Sequence, residues 1–277
     1  MKLRRVKLIV HIPVDKLDHA LVKRWLTRHD GVSQRYSYAP GMPAPEEYAD
    51  LTAPQRTHLM QGDLRTRVSA LVNYLRRHYP TPAGRGKATV LLFKTDARLR
   101  GYCQQEDVPY AEIRDAGAVY LHDLHVILVR PGTVNLLDSR KSQEWAVGVR
   151  YVAHEWFHAM REQSGRFRPL EEGGAEVFAN HVSYRVTGVQ NARLNLLTYA
   201  EYRQGVERMG EAARGSGQAA EWAMASRRKP QVAWLRSELE KLRLNPQQVA
   251  RILEYDDAKP NLWLSAVNNA VKRKEEP

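Results

Sequence analysis

Cysteine is nearly absent from this chain: Cys103 is the only one in 277 residues. One thiol cannot close an internal disulfide and cannot build a cysteine-based zinc cluster. It reads instead as a small buried apolar residue. Long apolar runs are missing too. No segment reaches the ~18 uninterrupted apolar residues of a membrane span. There is no internal repeat and no low-complexity tract. No RNA-binding motif, zinc finger or helix-turn-helix pattern stands out either.

What is present fits a globular chain long enough for two lobes sharing a cleft. Apolar residues make up 43% and charged residues 27%, enough for a sizeable core. Net charge is +12, which permits attraction to nucleic acid or to an acidic partner. The basic residues are scattered, however, and read mainly as solvated surface. The opening Met1-Lys-Leu-Arg-Arg-Val-Lys-Leu-Ile-Val-His-Ile-Pro13 has a basic start like a signal peptide. Lys7 and His11 interrupt its apolar stretch and no small-residue cleavage site follows, so a first strand in a cytoplasmic protein is expected.

Periodicity predicts a strand over 5–14, a helix over 16–28, a loop or lid over 30–53 and a helix over 55–78. A buried strand is expected at Thr89–Phe93. Two short apolar runs, Ala116–Leu121 and His125–Val129, form either a hairpin or an edge strand and its neighbour. Pro131-Gly132 closes the second. A helix follows over 142–162, with Trp145, Val149, Val152 and Trp156 facing a core. Beyond residue 170 the chain reads as helical, and Asn245-Pro246 marks one helix start. Trp222, Trp234 and Trp263 read as core.

The chemistry concentrates at His154-Glu-Trp-Phe-His158. Residues four apart on a helix share a face, so two imidazoles, favoured zinc ligands, point at one spot. Glu155 then borders the metal rather than binding it, where it can act as a general base on water. This is the H-E-x-x-H arrangement of zinc hydrolases. A third ligand is needed. Arg161 and Ser164 stand where the longer H-E-x-x-H-x-x-G-x-x-H pattern needs glycine and histidine, which excludes that class. The better candidate lies in Pro169-Leu-Glu-Glu-Gly-Gly-Ala-Glu176. Glu172 and Glu171 are rivals there, and Glu176, one turn on, can hydrogen-bond a ligating histidine.

These segments resemble the gluzincin metallopeptidases, the class of thermolysin and the aminopeptidase-N-like enzymes. His154–His158 looks like their first signature and Leu170-Glu-Glu-Gly-Gly-Ala-Glu176 like their second. The resemblance implies that Glu172, the glutamate before glycine, is the third zinc ligand, that Glu155 is the general base, and that Glu176 supports a ligand. It spans about Thr89 to Arg203. Gly117-Ala-Val-Tyr120 could be the edge strand on which an extended peptide pairs. Tyr202-Arg-Gln-Gly205 resembles the Tyr-x-x-Gly segment carrying a tyrosine that stabilises the oxyanion, and Tyr199, one turn earlier, could substitute. Only 13 residues separate His158 from Glu172, a tighter spacer than in large gluzincins. No Gly-x-Met-Glu-Asn-like segment is present, which favours an endopeptidase over an aminopeptidase.

The expected fold is therefore α+β and zincin-like. Residues 1–85 would pack on the core, 86–205 form the catalytic core with its small, partly antiparallel sheet, and 206–277 form a helical region. The expected function is zinc-dependent hydrolysis of a peptide or protein substrate, away from membranes. The competing expectation is an inactive zincin scaffold that binds nucleic acid or protein through its basic surface; a DNA-associated protease would combine the two.

Overall fold

A computed structural model describes residues 56, 60–82, 88–161, 167–189, 199–215, 217–226, 231–254 and 260–275. The expected strand 5–14, helix 16–28 and loop 30–53 lie outside these residues. The chain divides into two compact units, residues 1–159 with 182–193, and residues 160–181 with 194–277.

The first unit is mixed α and β. Helix α1, Leu64–His78, covers most of the pattern over 55–78; residues 56, 60 and 61 are helical as well, but a break at Gly62-Asp63 separates them from α1. The reason is a cap: the Asp63 carboxylate accepts from the Thr66 amide at 2.7 Å, satisfying one of the unpaired amides of the first turn. Three strands follow, β1 (Thr89–Leu92), β2 (Ala118–Leu121) and β3 (Val126–Val129). Their order is β1-β3-β2. β1 runs parallel to β3 and β2 antiparallel to it, with Tyr120 opposite Ile127. The two apolar runs are thus both a hairpin and an edge strand with its neighbour.

Two helices that periodicity did not reveal, α2 (Asp96–Gln105) and the single turn α3 (Tyr110–Ile113), cover one sheet face. Leu99, Cys103 and Ile113 pack there with Phe93, Val126 and Leu128. Thr95 caps α2, accepting from the Arg98 amide. Another helix, α4 (Pro131–Asp138), begins where Pro131-Gly132 ends the strand. Proline fits the first helical position because its missing N–H would go unpaired there.

Helix α5, Ser142–Ala159, is 18 residues long and ends three residues before the expected 162. Trp145, Val149, Val152 and Trp156 are all buried, as the stripe predicted. The Trp156 indole donates to the Tyr79 carbonyl at 2.8 Å. Gly148 lets α5 close on α4, because a Cβ there would stand 2.9 Å from the Leu137 nitrogen. Arg67, fully buried, donates to the carbonyls of Asp138 and Ser139 at 2.7 Å each, so α1 anchors the open C-terminal carbonyls of α4.

The second unit is helical. It holds the start of α6 (Arg168–Thr187), then α7 (Ala200–Arg214), α8 (Ala219–Ala225), α9 (Gln231–Lys241), α10 (Pro246–Glu254) and α11 (Pro260–Glu275). Glycines set its tightest crossings. A Cβ on Gly173 would lie 2.4 Å from the Tyr202 carbonyl oxygen, and one on Gly205 would lie 2.1 Å from the Trp263 ring. Trp222, Trp234 and Trp263 are core residues. The Asn245 start holds as a reciprocal capping box: the Gln248 amide donates to Asn245 Oδ1 and the Asn245 amide to Gln248 Oε1, both at 2.9 Å. With one helical unit and one unit that holds a small mixed sheet, the chain is α+β.

Candidate metal centre

The centre grows from the last turns of α5. Its apolar stripe is buried, which leaves the remaining face to carry His154, Glu155 and His158. The His154 and His158 rings stand edge to face, with centroids 5.0 Å apart, as a spacing of four on a helix requires. His154 is 7% exposed and His158 half-buried. Phe157 flanks His158, ring centroids 6.3 Å apart.

Glu172, in the first turns of α6, completes the group. One ligand atom from each of His154, His158 and Glu172 lies within 4.8 Å of the others. A tetrahedral centre with bonds of about 2.1 Å spaces its donors about 3.4 Å apart. The remaining gap is within reach of side-chain rotation. Two imidazoles with one carboxylate, one buried and two half-buried, is also the donor chemistry of catalytic rather than closed structural zinc. The residues therefore fit a divalent zinc ion.

Glu171, the rival ligand, is engaged elsewhere. It is 4% exposed and forms an ion pair with Arg161, itself 6% exposed. Glu176 is likewise buried on α6, one turn beyond Glu172. Arg161 stands where the longer H-E-x-x-H-x-x-G-x-x-H pattern has its glycine. A basic residue three positions after His158 and ten before a Glu-Glu pair was the available signal.

Glu155 points at the sheet edge. The Tyr120 amide donates to Glu155 Oε2 at 2.7 Å. Tyr120 opposes Ile127 without spending its amide on β3, so the outer edge of β2 faces this carboxylate. Helix α5 lies close against β2 here, because Gly117 leaves room for the Tyr151 ring. The Tyr120 hydroxyl in turn pairs with His125 Nδ1 at 2.7 Å. His125 sits at φ 54°, a left-handed conformation that places its ring back over the hairpin.

Tyr202 is on α7, 2% exposed, stacked on Tyr199 and edge-on to Trp263 with centroids 5.8 Å apart. It belongs to the packing of the helical unit. Arg150, buried, stands one turn before His154 on the same face of α5, a position that the spacing 150-154-158 could have flagged.

No family model, no curated protein and no solved structure matches this chain. Among the described residues, no helix is long and apolar enough to cross a membrane.

Proposed function

We propose that the chain is a zinc-dependent metallopeptidase of the zincin-like type that cleaves peptide bonds within an extended substrate. One observation carries this reading: the donor atoms of His154, His158 and Glu172 gather within 4.8 Å, with Glu155 next in sequence to the first of them. Those three residues would hold the ion. Bound there, zinc would polarise the scissile carbonyl and make water acidic enough to attack near neutral pH.

The chain's own groups then have defined tasks. Glu155 takes the proton of the attacking water and delivers it to the nitrogen of the leaving amine. The Tyr120 amide holds that carboxylate in place before substrate arrives. An extended peptide laid along the edge of β2 would pass the Glu155 carboxylate that the Tyr120 amide holds, which favours a peptide over a compact small molecule. Glu176 steadies a ligating histidine. An intact base beside the histidines is what a merely structural metal site has no need of, and this favours an enzyme over an inactive binding scaffold.

The test is metal content per chain in protein purified without added zinc, for wild type and Glu172→Gln together. About one zinc per wild-type chain, with clear loss in the variant, supports the site, and a proteolysis screen with Glu155→Gln as the blank follows. Wild type that neither carries nor takes up zinc overturns the reading and leaves the basic surface as the guide to function.

A further inference from the structure

We infer that the buried Arg161–Glu171 ion pair is a positioning device that presents Glu172 to the metal and withdraws Glu171 from it. The inference rests on the metallopeptidase reading and concerns how its third ligand is chosen and held.

The sequence offers two adjacent glutamates, and adjacent residues on a helix point about 100° apart. Only one can serve. Glu171 is 4% exposed and Glu172 half-buried, and it is Glu171 that the guanidinium of Arg161 occupies. Arg161 stands two residues past the end of α5 and three past His158. Glu171 stands in the first turn of α6, next to Glu172. The pair therefore ties the chain just after one ligand to the residue just before another. It is a short link between two ligand-bearing stretches that 13 residues separate in sequence, so less of the ordering of Glu172 falls to metal binding.

Stability alone does not account for such a pair. Moving two charges out of water is costly, and well-packed apolar side chains commonly stabilise as much or more. An ion pair with a planar guanidinium adds a fixed direction, which an apolar contact lacks. Here the guanidinium engages the Glu171 carboxylate in the first turn of α6, next to Glu172.

The experiment is zinc affinity by competition with a chromogenic chelator, each protein first shown to be folded by circular dichroism. Arg161→Gln and Glu171→Gln should each weaken zinc binding at least tenfold, in the range reported for groups that orient ligands. Arg161→Met combined with Glu171→Leu removes both charges and fills the space, so it should fold even if the single variants do not. It should keep the loss of affinity. Arg67→Met, which removes another buried arginine far along the chain, should lower stability and leave zinc affinity unchanged. If the double variant binds zinc like wild type, the pair serves only to neutralise buried charge and the inference fails. If wild type itself binds no zinc, the metal reading fails instead, and the two failures are distinct.

Discussion

The Tyr120 amide and the Glu155 carboxylate, 2.7 Å apart, join the edge of the sheet to the helix that carries both histidines. Because the donor is backbone, the contact depends on the strand register and not on the identity of the side chain at 120. A glutamine at 155 can still accept that hydrogen bond but cannot take a proton. Glu155→Gln should therefore fold like wild type, to within about 1 kcal/mol, and keep its zinc. Peptide hydrolysis should fall by ~100-fold or more. Parallel urea titrations, metal analysis and assays against a denatured protein substrate would check this. Full turnover in the variant would remove Glu155 from the role of base.

Metal removal should cost stability as well as activity. A ligand bound only by the folded state stabilises it by about 2.7 kcal/mol when its free concentration is a hundredfold above Kd. For a chain of this size that corresponds to a fall in Tm of roughly 5–10 °C on chelation. His158→Ala, with one of the three donors missing, should melt at the same temperature with and without zinc. An equal response to zinc in this variant would show that the metal sits elsewhere.

Gly173 stands directly after Glu172, and a Cβ there would lie 2.4 Å from the Tyr202 carbonyl oxygen. Backbone cannot swing aside as a side chain can, so Gly173→Ala must push α6 and α7 apart. The expected cost is about 1–3 kcal/mol, with weaker zinc binding because the displaced turn carries Glu172. Gly132 provides the contrast, with nothing within 4 Å of its added Cβ. Gly132→Ala should stabilise by roughly 0.4–1 kcal/mol through the unfolded chain. Urea midpoints for the two variants should move in opposite directions.

The difference between those glycines also shows what a sequence can carry. Strong periodicity was legible: the stripe of α5, the run of β3 and the Asn245 cap all stand where local pattern placed them. The histidine pair was legible because a helix fixes the relation of residues four apart. What was not legible was set by tertiary contact. Helix α2 has a weak stripe, with Leu99 and Cys103 its only buried residues, so its place on the sheet comes from Phe93 and Val126 rather than from its own pattern. The pairing of Glu171 with Arg161, ten residues away, is likewise a tertiary contact. Tyr202 carried a local motif, yet Trp263, far along the chain, decides its surroundings.

Cys103 gives a spectroscopic handle on the first unit. Its thiol is 1% exposed in the cluster under the sheet, and burial raises its pKa. Both effects suppress the reactive thiolate. An aromatic disulfide reagent should modify native protein at least ~100-fold more slowly than protein in denaturant, with a rate that follows opening of the unit. Prompt stoichiometric reaction of the native chain would contradict the packing of α2 on the sheet.

The cap of α1 predicts a pH dependence with a definite sign. Hydrogen bonds from Thr66 hold the Asp63 carboxyl below its ordinary value of 3.8. A carboxylate whose folded pKa is depressed stabilises the fold above the unfolded pKa, and that contribution disappears as pH falls through the folded value. Asp63→Ala should therefore cost about 1 kcal/mol at neutral pH, as an exposed N-cap does. The gap between wild type and variant should then close as the solution is acidified below pH 3.8. Asp63→Asn keeps an acceptor oxygen without a titrating group, so it should retain most of the stability and lose the dependence on acid. Denaturation midpoints for the three proteins across the acidic range decide the matter: a gap between wild type and alanine that persists after protonation would mean that the neutral carboxyl caps α1 as well as the carboxylate does, and that the stability of the cap does not depend on the ionisation of Asp63.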